Sequence, residues 1–329
     1  MLSLLLACTS PELPGKDSPD SPPVEDSNGV APLRLIQLDC EGWIGESMLI
    51  VGPDGTTVLL DVGNDDHADM ITEAVSRYGG RDPVDAVLLT HFHSDHAGGL
   101  DDLGVSYKSL VSRGPVHLDA VDLPKSFDDA PRTDLCTETT CVLPWTLELG
   151  AGAELKIQAA DGEIAGERFG HLPDDDDGEN ARSLVGTVSW GGFVYLWNGD
   201  LTGGGKDTPD LESFYAARLD LPSSGATVAH LGHHGINSST YEAWVDRALP
   251  DDGRARLGLT GSNGSYLDAP ADEVLERVGD RVQRVWTNRG GALTGQDPIL
   301  QEAEDDVILT VTEDGAVTIS GGSHTEELR

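Results

Sequence analysis

From residue 33 onward, short apolar runs alternate with Gly, Pro, Asn and Asp. Leu33 to Leu38, Ser47 to Val51 and Thr57 to Asp61 read as strands, because aliphatic and β-branched residues crowd into them. Pro53-Asp54-Gly55 supplies the turn between the last two. From His67 to Tyr78 the period changes. Met70, Ile71, Ala74, Val75 and Tyr78 fall on one helical face, and Gly79-Gly80 stops the helix. Val84 to Thr90 is a continuous apolar run, as expected of a buried strand. Between about Leu100 and Trp145 the pattern fades into Asp, Pro and Ser, which predicts an irregular, insertion-like region.

The second half repeats the logic. Leu155 to Ala159, Ser183 to Trp190, Phe193 to Trp197, Thr227 to Leu231, Arg256 to Thr260 and Val282 to Trp286 are predicted strands. Asp210 to Leu219, Tyr241 to Leu249 and Ala271 to Val278 are predicted helices. Val307 to Val311 and Ala316 to Ile319 should close a hairpin around Glu313-Asp314-Gly315. Strands mixed with helices in two similar halves suit an α/β four-layer αβ/βα sandwich, with two sheets face to face and helices outside. The composition does not change after residue 33, so 33–329 is read as one domain.

Charge narrows the function. The 329 residues hold 58 acidic and 21 basic side chains, a formal charge of −37. Such a field repels polyanions, so nucleic acid is an unfavoured partner. Leu5-Leu6-Ala7-Cys8 is similar to a bacterial lipobox, in which the Cys is acylated after signal cleavage. The apolar core before it is short and lacks basic residues, as a start codon set too far downstream would leave it. Residues 1–8 are therefore read as the remnant of a lipoprotein signal. Residues 9–32, where Pro11, Pro14, Pro19, Pro22, Pro23 and Pro32 interleave with Ser, Asp and Glu, are read as a disordered tether. The expectation is an exported protein of the bacterial periplasm or cell surface, lipid-anchored through Cys8. No apolar run reaches the ~20 residues of a membrane-spanning helix. Cys136 and Cys141 could close a small disulfide in an oxidising compartment, and Cys40 reads as a buried hydrophobe.

The chemistry concentrates in Thr90-His91-Phe92-His93-Ser94-Asp95-His96-Ala97-Gly98-Gly99, directly after a predicted buried strand. Imidazoles with a carboxylate suit zinc and its neighbours. Further pieces are Leu59-Leu60-Asp61-Val62-Gly63, Asn180-Ala181-Arg182-Ser183-Leu184-Val185, Leu196-Trp197-Asn198-Gly199-Asp200 and Leu231-Gly232-His233-His234-Gly235, with Leu38-Asp39-Cys40-Glu41-Gly42 and Glu46-Ser47-Met48-Leu49-Ile50 at the start. Together they resemble the metallo-β-lactamase superfamily over roughly residues 33 to 320. Within it they resemble the branch of the hydrolase domain of the ComEC DNA-uptake protein and its free-standing relatives.

That resemblance implies the same sandwich and two divalent cations, Zn2+ by donor type, with Mn2+ or Fe2+ as alternatives. His91 and His93 would hold the first and Asp95 and His96 the second; Asp200 would bridge them. His234 or His233 would complete the second set, with His234 preferred because it precedes Gly235. The third ligand of the first cation is a gap. His171, Asn180 and Glu179 are the candidates, the Asn as a substrate contact or weak ligand. The run Asp174 to Asp177 beside them reads as a solvated loop. Asp61 would orient a ligand His. Ser183, Ser238, Ser239 and Thr240 could donate hydrogen bonds near the site; His117 and His324 carry no pattern.

The chain departs from the branch at Asn263-Gly264-Ser265-Tyr266-Leu267-Asp268-Ala269-Pro270, where relatives carry a His; Tyr266, Asp268 or water would then serve the leaving group. The catalytic set expected is Asp95, Asp200 and Tyr266. The function expected is hydrolysis by a hydroxide held between two metals, acting on a phosphodiester or ester, either a small molecule or part of the cell surface, outside the cytoplasm. Two rivals are a ComEC-type nuclease linked to DNA uptake and a non-catalytic metal-binding surface protein. A β-lactam hydrolase is a weaker alternative.

Overall fold

Alternation along the strands decides where the layers meet. In strand Leu33–Gln37, Leu33 and Leu35 point one way into the largest apolar cluster, together with Met48, Ile50, Val58, Leu60 and Leu88. Ile36 points the other way and joins Leu49, Val51, Leu59 and Val87. A sheet apolar on both faces must be covered on both. The computed structural model describes residues 29–42, 44–115, 123–261, 269–288, 297–303 and 305–328. The expectations for Cys8, residues 9–28 of the tether, His117, Asn263, Tyr266 and Asp268 lie outside these residues; at the tether's end Val30 packs against the apolar cluster and Pro32 is buried, so the fold begins a few residues before Leu33.

Among the described residues one sheet has nine strands. In spatial order these are His324–Leu328, Val317–Gly321, Val307–Val311, Leu33–Gln37, Met48–Val51, Thr57–Leu60, Ala86–Leu88, Leu110–Ser112 and Arg132–Asp134. The other has ten. Its path runs Glu167–Arg168, Glu163–Ile164, Ala153–Ala160, Val185–Trp190, Phe193–Trp197, Val228–His230, Leu257–Thr260, Arg284–Asn288 and Leu300–Ala303, with Trp145–Gly150 paired to Ala153–Ala160. The sheets face each other across Leu155, Val188, Phe193, Trp197, Val228, Leu257 and the inner residues of the first sheet.

Helix Ala68–Arg77 covers the outside of the first sheet through Ile71, Ala74 and Val75. Helices Leu211–Ala216, Glu242–Ala248 and Asp272–Val278 cover the outside of the second through Leu211, Tyr215, Trp244, Val245, Val274 and Leu275. This is the four-layer αβ/βα sandwich that the sequence predicts. Among the described residues no helix is long and apolar enough to cross a membrane.

One expectation fails. The stretch from Leu100 to Trp145 is no irregular insertion: Leu110–Ser112 and Arg132–Asp134 extend the first sheet in parallel register, and Ser126–Asp129 is a helical turn. Strands of three residues are too short to display a period of two. Cys136 and Cys141 are disulfide-bonded just beyond them, and Cys40 is a buried free thiol.

Each sheet has an antiparallel and a parallel half. Pairing is parallel from Thr57–Leu60 through Ala86–Leu88 to Arg132–Asp134 in the first. In the second it is parallel from Phe193–Trp197 through Val228–His230 and Leu257–Thr260 to Leu300–Ala303. Loops leaving the carboxyl ends of parallel strands share one edge, where α/β proteins build their sites.

Candidate metal centre

Five such loops converge. Asp61 follows Thr57–Leu60; the His91 to His96 loop follows Ala86–Leu88; Asn198-Gly199-Asp200 follows Phe193–Trp197; His233 and His234 follow Val228–His230; Gly261 follows Leu257–Thr260. The metal loop ends in the single turn Ser94–Ala97, which lifts Asp95 and His96 while His93 stands at its cap. Gly99 lets this loop lie against the backbone of Val62, where a Cβ would strike the Val62 carbonyl. Gly199, at φ +48°, gives the Asp200 loop its turn beneath Thr90.

The side chains form two groups that share one carboxylate. His91, His93 and Asp200 make the first. His91 Nε2 lies 3.1 Å from His93 Nδ1 and 3.8 Å from Asp200 Oδ2. In the second, His96 Nε2 is 3.3 Å from Asp200 Oδ1 and 3.4 Å from His234 Nε2. His234 Nε2 is in turn 3.2 Å from Asp95 Oδ2. Glu46 joins this group together with His96, Asp200 and His234.

The donor set fits divalent cations. Ligand atoms about 2.0–2.1 Å from a tetrahedral zinc stand roughly 3.3 Å apart, which is the spacing of these nitrogen and oxygen atoms. Facing imidazole nitrogens repel unless a proton or cation lies between them. Asp200 Oδ1 is buried with no hydrogen bond among the described residues.

The electrostatics agree. Burial and the charge of His96 push His91 well below the ordinary range, so it stands as a neutral imidazole. Burial would lower His96 too, but Asp200 and Asp61 outweigh it and hold it well above. Likewise Asp200 and Asp95 override burial and raise His234 to about 9. Without cations, protons on His96 and His234 balance the carboxylates; cations would displace those protons.

His233 and His234 stand in the left-handed region, at φ +53° and +55°, a conformation that costs non-glycine residues energy and gathers at functional sites. It turns both rings toward Asp200. His233 Nε2 is 3.6 Å from Asp200 Oδ2 and 3.4 Å from Asn180 Nδ2, while its Nδ1 meets Ser238 Oγ at 2.7 Å. Burial lowers His233 to about 4, leaving it neutral. His233 and Asn180 thus stand beside the shared carboxylate, whereas His234 stands between Asp95 and His96.

The other candidates are spoken for. Glu179 is no cation ligand here. Its Oε2 pairs with Arg113 at 2.6 Å and its Oε1 accepts the Phe92 N–H at 2.9 Å, so it anchors the metal loop from behind. His171 is exposed and lines a separate cavity of about 200 Å³ with Arg168, Asp174 and Arg182. Asp61 Oδ2 meets His96 Nδ1 at 2.8 Å. Ser183 Oγ accepts the Asp200 N–H at 3.2 Å, whereas Ser239 Oγ donates to the Leu201 carbonyl and Thr240 donates its backbone N–H to Glu212. Sequence reasoning missed two contributors, Glu46 and Arg113. Glu46 stood in a quoted motif; Arg113 followed a short apolar run with no other mark.

Residues 41–117 match the family model described as the metallo-beta-lactamase superfamily. The chain's two mixed sheets form the metallo-β-lactamase fold. A segment of 83 residues is 36% identical to the anti-Pycsar protein Apyc1 of Saccharibacillus brassicae, covering 24% of this chain and 30% of that one. Another, of 71 residues, is 39% identical to the atrochrysone carboxyl ACP thioesterase nsrC of Aspergillus novofumigatus, covering 21% of each. Among solved structures, the metallo-beta-lactamase fold protein YhfI of Bacillus subtilis aligns over 85% of this chain and 99% of that one, at 12% identity and TM-score 0.42. The chain spans 10 to 30% of the length of the curated relatives it matches.

Proposed function

We propose that this protein is a metal-dependent hydrolase of a phosphodiester or carboxylic ester, acting outside the cytoplasm. The observation that carries the reading is the position of Asp200, a single carboxylate that stands against both sets of imidazoles, with Oδ1 3.3 Å from His96 and Oδ2 3.6 to 3.8 Å from His91, His233 and His234. His91, His93 and His233 with Asp200 would hold one cation; Asp95, His96 and His234 with Asp200 would hold the other. Bound there, divalent cations supply Lewis acidity and bring the pKa of water toward neutrality.

The chain's own residues do the rest. Asp95 and His233, 21% and 16% exposed, and the half-buried His93 are the partly open members of the set, so substrate reaches the site from their side. Asn180, beside His233, offers a neutral N–H donor to an oxygen that gains negative charge. Asp61, Glu179 and Ser238 hold the ligands in place, so the site needs little rearrangement when substrate arrives.

The superfamily match and the thioesterase among the relatives support ester chemistry. The −37 charge disfavours a nucleic acid polymer. The Cys136–Cys141 bridge supports an oxidising compartment. The test is elemental analysis of the purified chain beside hydrolysis of bis(p-nitrophenyl) phosphate, p-nitrophenyl esters, an acyl thioester, a lactone, a β-lactam and DNA. Expected are about two cations per chain, as in dinuclear sites, and turnover on a phosphodiester or ester that His93→Ala abolishes. Equal rates in parent and variant would dismiss the centre; preferred cleavage of DNA would return the nuclease reading.

A further inference from the structure

Behind His234 the protein buries a carboxylate against an imidazole where the two sheets meet. Glu46 precedes strand Met48–Val51 of the first sheet, and His230 ends strand Val228–His230 of the second. Their side chains are 8% and 3% exposed, and Glu46 Oε1 lies 2.6 Å from His230 Nε2. His230 Nδ1 lies 2.9 Å from Asn198 Oδ1, two residues before Asp200. The ring is therefore held at both nitrogens and fixes Glu46 in one orientation. The Glu46 backbone is tied to the metal loop, donating its N–H to the Asp95 carbonyl at 2.9 Å.

That leaves Glu46 Oε2. It is buried, accepts no hydrogen bond among the described residues, and points at His234, whose Nδ1 is 3.9 Å away. Among the described residues Nδ1 also meets the Gly261 carbonyl at 3.4 Å, a weak contact. His96 is better served: Asp61 Oδ2 sits 2.8 Å from its Nδ1 and leaves Nε2 toward the centre. A carboxylate behind a ligand imidazole selects its tautomer and strengthens it as a donor.

Burying a carboxylate and an imidazole where apolar side chains would fit costs stability. A cost borne at this spot, with one oxygen left toward a ligand, marks a function. We propose that Glu46 is the positioning residue of His234, clamped by His230 and Asn198, and that it sets the affinity of the second cation and not of the first. The inference rests on the two-cation reading of the site.

The test is calorimetric titration of Zn2+ into the metal-stripped full chain, with Co2+ in parallel for its visible absorption bands. In Glu46→Gln the first binding step should stay within about threefold of the parent, while the second weakens about 10- to 100-fold, the usual size for an outer-shell partner. The Co2+ bands at the second equivalent should keep their pattern. Glu46→Asp, with a shorter reach, should recover part of the affinity. Should Glu46→Gln not fold, His230→Asn, which keeps the carboxylate and removes its clamp, should weaken the same step. Equal loss at both steps, or loss at neither, overturns the proposal. A changed band pattern would make Glu46 a ligand and overturn the positioning role. A parent that takes up a single cation would overturn the two-cation reading itself.

Discussion

Asp61 makes three contacts at once. Oδ1 accepts the Thr90 N–H at 2.7 Å, and Oδ2 accepts the Thr90 hydroxyl at 2.7 Å while facing His96 Nδ1 at 2.8 Å. One carboxylate therefore sets both the entry of the His91 to His96 loop and the tautomer of His96. Asp61→Asn keeps the size but places an N–H where His96 needs an acceptor. The expected result is a cation affinity about 10- to 100-fold weaker, read by competition with a chromophoric chelator; an unchanged affinity would refute the role. Glu179 and Arg113 do comparable work from below. Both are fully buried, and the guanidinium lies 4.4 Å from the centre of the Phe92 ring. Glu179→Ala strands the Arg113 charge and should cost about 3–5 kcal/mol, whereas the paired change Glu179→Leu with Arg113→Met should cost much less. Denaturant unfolding of the three proteins checks this, and equal losses in both variants would sink it.

At the scale of elements, helix Leu211–Ala216 bolts down the segment that returns from His233 and His234. Glu212 accepts the Thr240 N–H at 2.6 Å and the Tyr241 N–H at 2.8 Å. Burial pushes its carboxyl up to about 8, outweighing both amide bonds. A carboxyl whose folded pKa is raised stabilises the fold below its unfolded pKa, and that contribution fades as pH rises through the folded value. Stability linked to Glu212 should therefore fall between about pH 4.5 and pH 8. Glu212→Gln should flatten this slope in denaturant midpoints measured across that window; an identical slope would show that Glu212 does not titrate there. The elements also show how far a pattern reaches. Strand Phe193–Trp197 was legible to the residue because its apolar run is long enough to recognise. Leu110–Ser112 has three residues and His324–Leu328 is polar and partly exposed, so neither stood out. Both exist because a neighbouring strand pairs with them.

The whole molecule carries −37 charges, and its folded state brings them closer together than an unfolded chain would. Surface repulsion of this kind is screened over a Debye length that shrinks from about 30 Å at 10 mM salt to about 8 Å at 150 mM. Raising monovalent salt across that range should raise the thermal midpoint in scanning calorimetry. A falling midpoint would mean that surface ion pairs outweigh net repulsion. The centre concentrates the same problem, since Asp61, Asp95, Asp200 and Glu46 converge in a buried volume. The field that repels polyanions draws divalent cations toward that edge.

The amino-acid sequence alone determined the layer order, through its alternating apolar runs, and the main donor string, because His91, His93, Asp95 and His96 lie within one loop and need no long-range contact to be seen. It also marked Asp200 and the His233-His234 pair, though not which ring faces which group. That division was decided by tertiary structure. Two consecutive left-handed residues turn both rings toward Asp200, His233 beside Asn180 and His234 beside Asp95, and backbone dihedrals are not written in residue type. The supporting groups follow the same rule. Glu179 meets Phe92 across 87 positions and Glu46 meets His230 across 184, and no local pattern carries a contact that only the closing of two sheets creates.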